Sequence, residues 1–171
     1  MINSKTYYES PIGTLSISST DNCITEILFV DSMKGRKNSG INHQEMPSPD
    51  KIINQCKIEL DEYFRGERKR FEIKIKQEGT FFQHSVWNEL LNIPYGRSIS
   101  YMQLSKRIGN AKAIRAVGTT NGSNKICIAV PCHRVIGSNG SLVGYGGDLW
   151  RKKWLLDHEA KYENGVKLLF E

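Results

Sequence analysis

The sequence predicts an α+β protein in two parts: a small N-terminal β-sheet plus helix domain over residues 1–78, then a mainly helical C-terminal domain over 79–171. Three observations carry this prediction. Alternating, β-branched runs open the chain, whereas short helical stripes dominate from about residue 81. A polar stretch at 76–80, Lys-Gln-Glu-Gly-Thr, separates the two patterns and reads as a linker. The charge balance also changes there. Residues 1–78 hold 12 basic and 12 acidic side chains, and residues 79–171 hold 12 and 6, so the second part carries the whole net charge of +6. A basic half beside a neutral one points to a polyanionic partner for the second half, set against an ordinary solvated surface.

The length of 171 residues suits one large domain or two small ones. An apolar content of 39% excludes a disordered tail protein. No apolar run approaches the roughly 18 residues that cross a bilayer. Met1 leads directly into strand-like sequence with no signal-peptide core. The expectation is a cytosolic protein with no membrane association.

Residues 5–19 alternate weakly around Pro11-Ile-Gly13 and read as a hairpin, with 24–30 as its sheet partner. Residues 31–50 read as a loop. A helix is predicted over 50–65, because Ile52, Ile53, Cys56, Leu60, Tyr63 and Phe64 share one stripe and Gly66 stops it. Phe71, Ile73 and Ile75 alternate with charges, which predicts a strand with one wet face. In the second part, Phe82, Val86, Trp87, Leu90 and Leu91 predict a helix ending before Pro94. Ser100 opens another, with Gln103 at capping-box spacing, ending at Gly109. Asn110 is placed to cap a third over 111–118. Two short helices joined by Gly-Asn form a helix-turn-helix pattern. The run 126–130 reads as a buried strand, and 135–143 as a hairpin turning at Asn139-Gly140, which gives the winged-helix order. Asp148 is placed to cap a last helix running to about Glu159.

Cys23, Cys56, Cys127 and Cys132 read as free thiols, with Cys56 and Cys127 as core. Cys127, Cys132 and His133 fit no zinc spacing, and no metal or cofactor is predicted. Cys132 differs from the other three. It ends an apolar run and is followed by His133 and Arg134, two groups that can favour a thiolate. On an extended chain adjacent side chains point to opposite faces, so His133 would reach Cys132 only across a turn or through a water. The residues alone leave a reactive thiol and a structural cysteine both open.

The company of Cys132 is more specific. Arg115-Ala-Val-Gly118, Asn124, Pro131-Cys-His-Arg-Val135, Gly144-Tyr-Gly-Gly147, Trp154-Leu-Leu-Asp-His-Glu159 and the upstream Ile99-Ser-Tyr-Met-Gln-Leu104 together resemble the O6-alkylguanine-DNA alkyltransferases (methylated-DNA–protein-cysteine methyltransferases). The resemblance is strong over about 80–160 and looser before it. It implies a ribonuclease H-like first domain and a winged-helix second domain that binds duplex DNA in the minor groove as a monomer, in the cytoplasm or on the nucleoid. It implies a single-turnover reaction in which Cys132 keeps the alkyl group of an O6-alkylguanine, with O4-alkylthymine as a further substrate. By position, His133 corresponds to the base, Glu159 to the carboxylate that orients it, and Asn124 to the hinge asparagine. Tyr101 corresponds to the tyrosine that turns the nucleotide out and assists the leaving base. Arg115 corresponds to the residue that fills the gap in the stack. Ala116 and Gly118 correspond to small residues on the groove-facing helix. Val135, Tyr145 and Gly146 correspond to the lesion pocket, with the carbonyls of Cys132 and Val135 facing the guanine amine. The pocket departs from the family at Gly146, where Ser is frequent. Cys23 is the one soft ligand in the region where some members hold zinc, so no zinc is expected. The alternative readings are a lesion-binding relative that does not transfer, in which the Cys position holds another residue, and an unrelated thiol hydrolase or redox enzyme.

Overall fold

The computed structural model describes residues 3–32, 50–143, 145 and 148–163. Most of the predicted 31–50 loop, together with Gly144, Gly146 and Gly147, lies outside the described residues. The chain forms two compact units. One comprises the residues up to 78 together with Lys125–Ala129; the other comprises Gly79–Asn124 and the residues from 130 onward. The sequence reading placed 125–129 in the second part, because nothing local marks the excursion.

The first unit is a three-stranded antiparallel sheet covered by a helix. Strands β1 (Asn3–Ser10), β2 (Gly13–Thr20) and β3 (Cys23–Phe29) follow in that order. The β1–β2 register pairs Asn3 with Thr20 and Ser10 with Gly13. Asp21 and Asn22 turn the chain into β3 with positive φ at both residues, which short polar side chains tolerate and a right-twisted hairpin requires. Helix α1 (Lys51–Phe64) is capped by Asp50, whose carboxylate accepts from the Ile52 N–H at 3.0 Å. Its stripe of Ile52, Ile53, Cys56, Leu60 and Tyr63 is buried, as are Leu15, Ile17, Ile24, Ile27 and Phe29 of the sheet. Each such side chain contributes about 1.5–3 kcal/mol when withdrawn from water.

Two predicted strands are corrected here. Residues 71–75 alternate in burial as expected, but they join the sheet only through an Ile24–Ile75 bridge, with Ile24 N–H donating to Lys74 at 2.8 Å. Residues 126–130 are buried but not a strand. Ile27 bridges Ile126, and the chain then turns through Ile128 at φ +72°, a conformation that burdens a β-branched residue. Together the two segments cover the outer edge of β3, which would otherwise offer unpaired backbone groups.

Glu59, on the buried side of α1, accepts from the backbone N–H groups of Glu72 at 2.9 Å and Ile73 at 3.3 Å and from Gln55 Nε2 at 2.9 Å. It ties the helix to the 71–75 segment. Glu59→Ala strands two backbone donors and is expected to cost about 2–4 kcal/mol in urea denaturation. A loss below 1 kcal/mol would show that water replaces the carboxylate.

The second unit is mainly helical. Helix α2 (Phe81–Leu90) starts at a capping box of Thr80 and Gln83, a signal the sequence reading passed over. Helix α3 (Tyr101–Arg107) has the predicted Ser100/Gln103 box. Helix α4 is Ile114–Gly122, so it begins and ends later than predicted. Asn110 does not cap it; its backbone carbonyl accepts from Ala113 N–H at 3.1 Å within a preceding turn. Trp87 Nε1 donates to the Thr120 carbonyl at 3.1 Å and joins α2 to α4. The predicted wing is also revised. Strand β5 (Val135–Ile136) pairs in parallel with β4 (Ile99–Ser100), not with a returning strand. Asn139-Gly140 does form a tight turn, closed by Gly137 N–H to Ser141 at 2.8 Å, but residues 141–143 leave it unpaired as a strand. Helix α5 (Leu149–Glu163) completes the unit. Asp148 precedes it at φ +78° and binds the Arg151 guanidinium at 3.2 Å.

Candidate active site

Val130 and Pro131 lead into a single 3₁₀ turn, Cys132–Arg134. Cys132 N–H donates to the Val130 carbonyl at 2.8 Å and Arg134 N–H to Pro131 at 3.0 Å. The difficulty of adjacent side chains on opposite faces disappears, because this segment is not extended. All three side chains are buried, His133 completely.

Glu159, one turn from the end of α5, organises the turn from behind. Its Oε1 lies 2.7 Å from His133 Nε2, and Arg134 binds it with two parallel bonds, Nε to Oε2 and Nη2 to Oε1, both 2.9 Å. Gly96 N–H adds a bond to Oε2 at 3.3 Å, from a position at φ +75° that favours glycine. Arg134 Nη1 donates to the Ile93 carbonyl at 2.7 Å. Burial works against the Glu159 charge. The His133 and Arg134 charges and their hydrogen bonds outweigh it and hold the carboxyl well below the usual carboxylate range. Arg134 was read as a cation for the Cys132 thiolate, but the structure pairs it with Glu159.

A carboxylate can only accept, so Glu159 fixes the proton of a neutral His133 on Nε2. Nδ1 then carries the lone pair. It is buried and has no hydrogen-bond partner among the described residues. The ring is therefore oriented as a proton acceptor on its Nδ1 side.

Two asparagines of the α4 end fasten the 130–132 backbone. Asn124 Nδ2 donates to the Val130 carbonyl at 2.9 Å, and Asn121 Nδ2 to the Cys132 carbonyl at 3.2 Å. Asn124 was predicted as a hinge; Asn121 was not singled out. The Cys132 carbonyl also takes the Val135 N–H. Tyr101 donates its phenol to the Val143 carbonyl at 2.9 Å. Burial and the Cys132 charge push that phenol up, and a hydrogen bond from Asn121 opposes them. Val135 and Tyr145 are buried, and Gly146 lies outside the described residues. On α4, Arg115 and Ala116 are exposed, while Gly118 lies beside the Tyr101 ring. Lys106, Arg107 and Lys112 are exposed with Arg115 on the helix-turn-helix.

Lys152 is the other residue that sequence reasoning missed. It is fully buried, donates to the Val143 carbonyl at 2.8 Å, and lies 5.8 Å from the Tyr101 ring centroid. Burial lowers its ammonium to about 8, opposed by the Cys132 charge. The signal was available in the spacing Lys152, Leu155, Glu159, one buried face of α5. Its neighbour Arg151 is also buried, whereas Lys153 is exposed against Asp157. Because the folded value of Lys152 is depressed, its charge costs stability below about pH 8, and that cost fades toward the ordinary lysine range. Lys152→Met is expected to melt a few degrees higher at pH 7, with the gap narrowing at pH 10, while reaction at Cys132 slows because a nearby cation is lost. A variant that melts lower at pH 7 would sink this account.

Fold and site together define a class: a buried cysteine beside a His–Glu pair, carried on a basic helix-turn-helix unit. Comparison with known proteins makes that class particular. Residues 81–161 match the family model described as the DNA binding domain of 6-O-methylguanine DNA methyltransferase, and residues 3–77 match its ribonuclease-like domain. The chain belongs to the 6-O-methylguanine DNA methyltransferase family. It is 43% identical over 153 residues to a methylated-DNA–protein-cysteine methyltransferase of Methanosarcina acetivorans, covering 90% of this chain and 96% of that one. It is 42% identical over 151 residues to the constitutive methylated-DNA–protein-cysteine methyltransferase of Bacillus subtilis, covering 85% and 88%. Among solved structures, Mycobacterium tuberculosis OGT in complex with DNA superposes with a TM-score of 0.81 at 37% identity, covering 92% of this chain and 93% of that one.

Proposed function

We propose that this protein repairs DNA by direct reversal, transferring the methyl group of an O6-methylguanine in duplex DNA to Cys132. Family membership supports the reaction class. The observation that carries the assignment of residues is the His133–Glu159 pair, with Nδ1 as its one accepting ring nitrogen. His133 Nδ1 receives the Cys132 proton, directly or through a bridging water, and Glu159 stabilises the imidazolium that forms. The thiolate attacks the methyl carbon; a C–S bond forms, the C–O6 bond breaks, and the electron pair leaves with guanine. Tyr101 exchanges its Val143 acceptor for the leaving base and donates to it. The product is a thioether, which thiol chemistry does not reverse, so each molecule acts once.

The target carbon is inside a stack, and the base must be turned out at a cost of a few kcal/mol. Arg115, exposed on α4, fills the gap, and Ala116 and Gly118 allow close approach in the minor groove. The exposed cations of the helix-turn-helix supply a salt-dependent phosphate term with little sequence preference. Among the described residues no helix is long and apolar enough to cross a membrane. The protein works as a monomer in the cytoplasm or on the nucleoid, and O4-alkylthymine is a further substrate.

The test is intact mass after mixing with a duplex bearing one O6-methylguanine, followed by peptide mapping. One methyl group on Cys132, at most one per molecule, is expected. Tight lesion binding without mass gain would replace this reading with a flip-and-hold protein, and a methyl group on another cysteine would overturn the residue assignment.

A further inference from the structure

We propose that the outer edge of the first unit, which carries Lys74, Lys76 and Lys125, is a second phosphate-binding surface that holds the sugar–phosphate backbone of duplex DNA away from the lesion. The inference rests on the DNA-repair reading above and extends the contacts beyond the helix-turn-helix.

The two segments that cover β3 place these lysines. Ile24 N–H donates to the Lys74 carbonyl at 2.8 Å, and Lys76 N–H donates back to the Ile24 carbonyl at 2.9 Å. Lys125 is held further along the same strand, where its carbonyl accepts from Ile27 N–H at 2.8 Å. Its own N–H donates to the Gln77 side chain at 3.0 Å, which ties the two segments together. All three lysines belong to the first unit and are exposed. None forms an ion pair among the described residues. Lys5, Arg65 and Arg68 of the same unit, by contrast, are paired with Glu26, Glu67 and Glu62. Arg70 is exposed on the same outward alternation as Lys74 and Lys76, with Glu72 and Glu78 as the carboxylates of that segment.

Residues 1–78 hold equal numbers of cations and acids, 12 of each, so the neutral sum conceals a one-sided edge. Side chains two apart on an extended segment lie about 6.6 Å apart on one face. Neighbouring phosphates on a DNA strand are separated by a similar distance. The plainer reading is that charges on an exposed edge keep it from pairing with another sheet. Either sign would serve that purpose, and mixed signs would do so without mutual repulsion. Three unpaired charges of one sign repel each other, and a polyanion that brings phosphates to them offsets that repulsion. Duplex DNA is the polyanion assigned to the second unit, and Lys125 lies three residues beyond the end of α4. That short tether raises the effective concentration of a duplex held by α4 at this edge. Contacts to phosphate add affinity without base preference.

The experiment is a salt titration of binding by the full chain. Anisotropy of a fluorescent, unmodified duplex gives Kd at several salt concentrations, with the melting transition of each protein recorded. The edge variant is Lys74→Gln/Lys76→Gln/Lys125→Gln. A Lys5→Gln/Lys51→Gln/Lys153→Gln control changes the net charge equally. The edge variant should bind about tenfold or more weakly, and its slope of log K against log salt should shrink by about 2–3, since each phosphate contact contributes about 0.9. Arginine at the same three positions should keep the wild-type slope, and the control should shift it by less than about 1. Lys125→Gln alone, with an expected loss of about 0.9, carries the comparison if the triple variant does not fold. An unchanged slope in the edge variant, or an equal loss in the control, overturns the proposal. A variant that aggregates with its duplex slope intact supports edge protection instead, and one that loses only RNA or acidic polypeptide binding points to another partner; both overturn it. A wild type without salt-dependent duplex binding would overturn the DNA-repair reading itself.

Discussion

Cys132→Ala should accept no methyl group while still binding a lesion-bearing duplex. The thiol is the strongest nucleophile of the 3₁₀ turn once deprotonated, whereas His133 and Glu159 are weaker ones already paired with each other. Loss of transfer by at least ~10⁴-fold is expected. The fold should survive, because the substitution removes one buried sulfur and leaves the Cys132 carbonyl with its Asn121 and Val135 donors. The other buried thiols are the controls. Cys56 is in the core of the first unit, and burial together with nearby Glu59 pushes its thiol up to about 12, which leaves it protonated and inert. Cys127 is 3% exposed in the first unit. Cys56→Ala and Cys127→Ala should both retain one methyl acceptance per molecule. Methylation persisting in Cys132→Ala would remove Cys132 from the reaction altogether.

Glu159→Ala should have the largest effect on stability. It removes the shared acceptor of His133, Arg134 and Gly96 and leaves the Arg134 guanidinium buried without its counter-charge. Breaking a buried pair in this way costs about 3–5 kcal/mol. Glu159→Gln, which keeps the shape and one acceptor, should cost less while still slowing transfer, because a neutral amide does not stabilise the His133 imidazolium. The two variants separate folding from chemistry. The pH dependence has a definite sign. The folded carboxyl lies below its unfolded value, so its contribution is complete above the ordinary carboxylate range and is lost as pH falls beneath about 4. The wild type should therefore lose melting temperature steeply on the acid side, and Glu159→Gln should show a shallower acid limb. Parallel limbs would mean that Glu159 is not the group being protonated.

Most elements could be read from local pattern. The β1–β2 hairpin follows from alternation around Pro11-Ile-Gly13, α1 from its stripe, and α3 from a capping box, all short-range features. The misreadings arise where long-range partners decide. Residues 71–75 and 126–130 are apolar enough to be strands, but the edge of β3 has room for one bridge to each. Val135–Ile136 carries a hairpin signal, yet finds a parallel partner in Ile99–Ser100, which lies far away in sequence. Turn chemistry at Asn139-Gly140 specifies the turn and not what its second arm pairs with.

The site divides along the same line. The motif Pro131-Cys-His-Arg-Val135 and its distant companions point by themselves to the family and to the proposed acceptor cysteine and base, because those are matters of residue type and order. What Arg134, Asn121 and Lys152 do was decided only by tertiary structure. Arg134 looks like a thiolate partner until α5 brings Glu159 within 2.9 Å of it. Asn121 is a helix residue like any other until the 3₁₀ turn presents the Cys132 carbonyl to it. Lys152 is one more helix cation in the sequence until burial lowers the pKa of its ammonium to about 8. Residue chemistry is local and is written in the sequence, whereas burial and pairing depend on which segments meet, and that is set by the packing of the whole unit.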